Sequence, residues 1–261
     1  FWQTTIAEVT QKLAALGVDG VYIDQIAAAG PRPCWDTSHN HTLGGGSHWV
    51  SGYAQMLQRV REAVGGERMI LTESNAEPFM SGVNLFLTLV GFNAGDLPPV
   101  PNSPNLIVPA FQSIYGGYVL PVGAEFFQQD LVPDPDVFAA KIATQFTFGA
   151  QLGWFSLGGR DNQNPAMGIF DLLMDQQFDA EVSYLRNLSD AKLVARRWFN
   201  HGRVMRPLEL EVKTKDADRS ETHLRNHPRS TSLNDNVGLA FGSVMSSVWL
   251  SAEKDSLLIV L

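Results

Sequence analysis

From residue 4 to 16, Ile6, Val9, Leu13 and Leu16 keep the three-to-four spacing of one helical face, with Thr4 or Thr5 as cap and Gly17 as stop. The segment that follows, "VDGVYID" (18–24), is too brief for a helix and rich in strand formers. It predicts a short buried strand that ends on Asp24. Trp49, Tyr53, Met56, Leu57, Val60 and Val64 mark a second amphipathic helix, stopped by Gly65 and Gly66. "RMILTE" (68–73) predicts the next strand, and it too ends on a carboxylate, Glu73.

The alternation continues less regularly. "NLFLTLV" (84–90), "LIVPAF" (106–111) and "QLGWFSL" (151–157) read as further strands, with helices near 135–149 and 176–199. Strands that alternate with helices predict an α/β fold with a mainly parallel sheet covered on both faces. Counted to its closing helix, the segment 1–205 reads as a partial (β/α)8 TIM-type barrel, strands four to eight, whose first three strands are expected upstream of Phe1. Beyond it, "RVMRPLELEV" and "SSVWLSAEKDSLLIVL" alternate in the manner of antiparallel strands. The segment 206–261 is therefore read as the start of a β-sandwich that stops mid-domain, and the polar stretch 213–236 as a mobile loop.

Composition narrows the function classes. A net charge of −8 and a pI near 5.2, without any stripe of Lys and Arg, argue against a nucleic-acid partner and favour a neutral or small polar substrate. No apolar run approaches the ~18 residues of a membrane helix. The single cysteine, Cys34, excludes an internal disulfide framework and offers no CxxC pattern. No cofactor motif stands out: Gly44, Gly45 and Gly46 lack the Lys and Ser/Thr of a phosphate loop.

In a parallel barrel the reactive groups sit at the C-terminal ends of strands. Asp24 and Glu73 occupy that place on successive strands, and neighbouring strands lie ~4.8 Å apart, close to the ~5 to 5.5 Å between carboxyls in retaining glycosidases. Such a pair supplies a nucleophile, Asp24, and an acid/base, Glu73. A strand-end carboxylate can equally cap a helix or pair with Arg, and Glu77, four residues after Glu73, competes as acid or as a sugar-hydroxyl acceptor. The loop "CWDTSHNHTLGGGSHW" adds flat and planar polar groups suited to a sugar: Trp35, Asp36, His39, His41 and His48. Cys34, Asp36, His39 and His41 could also hold a metal, but no paired zinc-ligand motif accompanies them and none is assigned. Gln112 with Tyr115 and Tyr118, and Arg160 with Asp161, are further candidates for the substrate mouth.

Taken in order, "GVDGVYIDQI", "CWDTSHNHTLGGGSHW", "LTESNAEPFM", "VPAFQSIYGGYV" and "GAQLGWFS" resemble a glycoside-hydrolase-like (β/α)8 family described mainly as a bacterial domain of unknown function. Its layout is similar to that of the endo-α-N-acetylgalactosaminidases and, more distantly, the α-amylase clan. The resemblance implies a strand-four aspartate nucleophile and a strand-five glutamate acid/base, which by position fall on Asp24 and Glu73. It implies a glycoside hydrolase acting on an α-linked carbohydrate. The alternatives are a non-catalytic carbohydrate-binding barrel, or an inverting hydrolase that pairs Asp24 with Asp96 or Asp161.

Overall fold

The computed structural model describes residues 1–87, 110–123, 126, 131, 135–153, 155, 169–206, 208, 210, 214–217, 239–242 and 246–261. It is a mixed α/β protein with one four-stranded sheet of parallel pairings and one three-stranded antiparallel sheet. Two compact units divide the described residues: Phe1–Leu87 with Tyr118–Leu120, and the remainder.

The first unit runs α1 (Trp2–Ala15), β1 (Gly20–Ile23), α2 (His48–Val64), β2 (Met69–Glu73), a 3-10 turn at Glu77–Phe79, and β3 (Leu85–Leu87). The sheet order is β1-β2-β3-β4, where β4 (Leu120–Val122) begins in this unit. β1 and β2 pair in parallel, Gly20 against Met69 through Ile23 against Thr72, and β2 pairs in parallel with β3. Val21, Ile70, Thr72 and Phe86 are buried, as are Met56, Leu57, Val60 and Val64 of α2. The α2 stripe is the one its spacing predicts.

α1 differs from expectation in two ways. It starts at Trp2, before Thr4 and Thr5, and Val9, Leu13 and Leu16 are exposed. The buried positions are Thr10 and Ala14, whose small side chains let α1 come close to α2. The Thr10 hydroxyl is satisfied locally by donating to the Ala7 carbonyl at 2.9 Å. Gln3 Nε2 adds a bond to the Gly52 carbonyl at 3.0 Å.

Two arginines lock the base of this unit, away from the carboxylate end of the strands. Arg68 donates to the carbonyls of Val18, Val64 and Ala14 at 3.2, 3.0 and 3.3 Å, so one side chain satisfies the C-terminal ends of both α1 and α2. Arg61 reaches the Arg68 carbonyl at 2.5 Å and Asn84 Oδ1 at 2.6 Å. The same Oδ1 also accepts from the Ile70 N–H at 2.9 Å.

In the second unit, α4 (Pro135–Thr147) and α6 (Asp179–His201) match the two expected helices, with α3 (Ala110–Tyr115) and α5 (Phe170–Leu173) besides. The strand expected over 106–111 is corrected where it is described: Ala110 and Phe111 open α3, directly after a proline, which suits a helix start. β4 was not expected, because Pro121 at its centre argues against a strand. Of "QLGWFSL", Gln151 and Phe155 make single parallel bridges to Val122 and Phe126 without a continuous strand between them. Phe126, Phe138, Ile142, Ile169 and Phe178 form one core cluster, and Phe146, Phe199, Val204, Trp249 and Val260 another.

The C-terminal alternation is antiparallel, as read from its pattern. β5 (Arg203–Met205) pairs with β8 (Ser247–Leu250), which pairs with β9 (Leu257–Val260). β6 (Thr214–Ala217) pairs with β7 (Leu239–Gly242), so the first residues of the expected 213–236 loop are strand.

Candidate functional site

The parallel register carries Asp24 and Glu73 to the same level. Ile23 faces Thr72, so the next residues along both strands are the two carboxylates, at the C-terminal edge of the sheet. Side chains alternate along a strand, and the register aligns the alternation: Val21, Ile70 and Thr72 are buried, whereas Tyr22, Asp24, Leu71 and Glu73 share the opposite face. The Tyr22 hydroxyl donates to Asp24 Oδ1 at 2.9 Å, and the Gln25 N–H donates to the same oxygen at 3.0 Å. Gln25 Nε2 donates across to Glu73 Oε2. Burial, the charge of Asp24 and a hydrogen bond to Asp24 all raise the pKa of Glu73 above its ordinary value.

The residue after each carboxylate is left-handed without being glycine, Gln25 at φ 65° and Ser74 at φ 61°. In the turn after β2, the Ser74 N–H donates to the Leu87 carbonyl at 2.7 Å, tying the end of β2 to the end of β3. Tyr22 and Gln25 were not singled out from the sequence. Tyr22 was within reach of such reasoning, since a residue two before a strand-end acid lies on the acid's own face. The bridge from Gln25 depends on its unusual backbone and carries no pattern.

The loop between β1 and α2 is organised by its own polar groups. Asp36 Oδ1 accepts from the Ser38 N–H at 2.8 Å and hydroxyl at 2.7 Å, which lowers the Asp36 pKa, with His39 and His41 adding smaller contributions. Cys34 Sγ lies 3.2 Å from His39 Nδ1, and His39 Nε2 lies 3.5 Å from Asp36 Oδ2. His41 stacks on His48 with ring centroids 4.3 Å apart, and His48 Nδ1 donates to the Gly45 carbonyl at 3.0 Å. Trp35 is 74% exposed and its ring lies over Gly44, where a Cβ would come within 2.6 Å of it. Gly44 also has φ +81°, so space and backbone both require glycine there. A polar cavity of about 400 Å³ opens between this loop and the start of α2, lined by Asn40, His41, Thr42, His48, Ser51 and Gln55 among others.

The other candidates are dispersed. Glu77 is exposed at the start of the 3-10 turn. Trp49 packs edge-on against Tyr53, which packs edge-on against Phe79, so Trp49 serves the helix face. Gln112 belongs to the second unit, where it is buried in α3 and its Nε2 finds no hydrogen-bond partner among the described residues. Tyr115 also lies in that unit, in α3, and Tyr118 in the first is 80% exposed. Asp96, Arg160 and Asp161 lie outside the described residues. No described helix is long and apolar enough to cross a membrane.

Residues 1–126 match the model of a family described as a domain of unknown function, DUF6259. The chain is 38% identical over its whole length to a Monosiga brevicollis protein named "Putative glycoside hydrolase 22789", of which it covers 21%. Over 79% of its length it is 28% identical to a Bacteroides thetaiotaomicron protein named "Putative glycoside hydrolase", of which it covers 28%. The chain thus spans between a fifth and a third of these curated relatives, and its sequence is similar to two proteins that bear that name.

Proposed function

We propose that this chain carries the catalytic carboxylates of a retaining glycoside hydrolase acting on an α-linked carbohydrate, with Asp24 as nucleophile and Glu73 as acid/base. The observation that carries the reading is the pair of neighbouring carboxyls that the parallel register sets side by side at the C-terminal edge of the sheet. Burial and the charge of Asp24 raise the Glu73 pKa, the direction a general acid needs, while Asp24 Oδ1 accepts from the Tyr22 hydroxyl and the Gln25 N–H, which hold it in place. Both relatives bear glycoside hydrolase names, which supports the reaction class.

In the first step Asp24 attacks the anomeric carbon and the bond to the leaving oxygen breaks, while Glu73 gives that oxygen its proton. Gln25 Nε2 donates to Glu73 Oε2, which leaves Oε1 as the oxygen that delivers the proton in this step. In the second step Glu73, now ionised, takes a proton from water as the water displaces Asp24 from the sugar. The two inversions give net retention. Bound sugar takes over the Glu73 hydrogen bond that Asp24 accepts in the free protein.

The parallel sheet, the acids at its C-terminal edge and the covering helices α1 and α2 are also what a (β/α)8 barrel requires, with β1 and β2 as strands four and five. β1 is the sheet's edge strand, and Val9, Leu13 and Leu16 of α1 are exposed beside it, so barrel closure by further strands would cover both. Kinship with the endo-α-N-acetylgalactosaminidases and the α-amylase clan is part of the same proposal, in which Trp35 offers its exposed ring to a sugar face.

The test is made in the full-length protein that carries these residues, on a panel of aryl α-glycosides. Asp24→Asn abolishes turnover. Glu73→Gln loses about 10² to 10⁴ in rate on a poor leaving group and much less on an activated one, and azide restores part of the rate as a glycosyl azide of retained configuration. Undiminished hydrolysis by Asp24→Asn would sink the assignment.

A further inference from the structure

We infer that Cys34, His39 and His41 form a zinc site that fastens the loop between β1 and α2. Each of the three offers a ligand atom within 4.8 Å of the other two. A tetrahedral zinc with bonds of about 2.3 Å to sulfur and about 2.0 Å to nitrogen holds its ligands about 3.3 to 3.6 Å apart, so the loop closes on the ion by about 1.5 Å at most. The Cys34 Sγ to His39 Nδ1 distance of 3.2 Å already matches that spacing.

The ring nitrogens that would not face the metal lie beside oxygen atoms. His39 Nε2 points to Asp36 Oδ2 at 3.5 Å, and Asp36 is itself fixed by Ser38. His41 Nδ1 lies 2.9 Å from the Thr42 carbonyl, which can only accept, so that nitrogen carries the hydrogen and the lone pair is on Nε2. A carboxylate or carbonyl behind each imidazole is the outer arrangement that orients metal-ligating histidines and raises their basicity. The donor set of one thiolate and two imidazoles selects zinc over calcium or magnesium, which take oxygen. Cys34 gives its thiol proton to solvent as the ion binds, no electron is transferred, and water fills the fourth position.

Fastening these three residues fixes the part of the loop that carries Trp35. The Gly44 N–H donates to the Cys34 carbonyl at 2.6 Å and Trp35 lies over Gly44, so the metal closes a ring of contacts that is otherwise made by short polar bonds on the surface. His41, stacked on His48 at the start of α2, connects the same cluster to the helix. The inference stands apart from the roles given to Asp24 and Glu73, and it reassigns His39 and His41 from sugar partners to metal ligands.

The probe is the metal itself, titrated into the chelator-treated 261-residue chain. Zn²⁺ binds with one-to-one stoichiometry, and Co²⁺ in its place gives a thiolate-to-cobalt charge-transfer band. Cys34→Ser removes the band and weakens zinc binding at least tenfold, as do His39→Ala and His41→Ala, whereas Asp36→Ala keeps the band with a weakening of about tenfold. His201→Ala, at an exposed histidine on the end of α6, changes nothing. A second measurement needs no variant: one equivalent of Zn²⁺ slows alkylation of Cys34 at least tenfold. Absence of saturable binding, binding by Cys34→Ser as tight as by the parent chain, or alkylation indifferent to Zn²⁺ overturns the site.

Discussion

Exchanging Glu73 for glutamine isolates the one ionisation on which the proposed mechanism depends, and it needs no substrate. The ordinary value for this carboxyl is 4.5, and in the folded chain burial, Asp24's charge and the hydrogen bond to Asp24 raise it. Well below 4.5 both states are protonated and the group contributes its full share of stability. As pH rises through that value the unfolded chain releases its proton while the folded chain keeps it, so stability falls, by at most about 1.4 kcal/mol per pH unit for one proton. The fall ends once pH passes the raised folded value. Glutamine cannot titrate, yet its amide N–H can donate to Asp24 and its carbonyl can accept from Gln25 Nε2, so the contacts survive. Glu73→Ala loses both bonds and costs about 1 to 2 kcal/mol at acid pH, from about 0.5 to 1.5 kcal/mol each, reduced because the site is partly open to water. Above the folded pKa that cost shrinks, since removing an ionised Glu73 relieves its repulsion with Asp24. Urea denaturation in pH steps from acid to neutral reads the three curves. Parallel curves for the parent and Glu73→Gln through the whole range would refute the claim that the fold raises the Glu73 pKa.

Arg68→Ala destabilises the first unit by about 2 to 3 kcal/mol. Each bond from a charged donor contributes about 1.5 kcal/mol or more, and three carbonyls are lost at once, though at lengths of 3.0 to 3.3 Å and on a partly exposed side chain. Arg68→Lys keeps a part of this, and denaturation midpoints that leave Arg68→Ala level with the parent would dismiss the anchor. Lys192, whose pKa burial lowers to about 8, donates to the Gly149 carbonyl at 2.8 Å and lies over the Phe199 ring. Between pH 8 and 10.5 the unfolded chain binds this proton and the folded chain does not, so stability relative to Lys192→Met rises with pH in that window. A difference between the two proteins that stays level from pH 7 to 11 would contradict it.

The carboxylate pair was legible because everything that places it is local. Two brief apolar runs each end on an acid, and the register of this parallel pair sets Ile23 against Thr72, so the residues that follow become neighbours. α2 was legible for a similar reason: its apolar stripe is wide and consists of large side chains. α1 was not, because the contact that decides its orientation rewards smallness. Thr10 and Ala14 are weak hydrophobic signals beside Val9, Leu13 and Leu16, yet they are what permits approach to α2. β4 was hidden by Pro121 and the turn into α3 by an apolar run that scores as strand. The metal cluster had its residue types in view from the start. Its decisive feature, the oxygen acceptor behind each imidazole, belongs to the folded loop alone.

The backbone around the two acids adds a step to the argument. A non-glycine residue in the left-handed region costs roughly 1 to 2 kcal/mol, and here one follows each carboxylate. Glycine would lower that cost at both places. At position 25, however, glycine could not donate to Glu73, and the left-handed turn is what points the Gln25 N–H back to Asp24 while its side chain crosses to Glu73. At position 74 the same turn aims the backbone N–H at the Leu87 carbonyl and fastens β2 to the next strand. The strain is therefore offset by bonds that converge on the two acids and on the strand ends carrying them. A sheet needs none of this for its own stability, since the ladder pairs and the buried face already hold it. It becomes intelligible if a proton on Glu73 and a free lone pair on Asp24 must be kept at a fixed separation before substrate arrives, the condition under which a positioned acid and a positioned nucleophile act together.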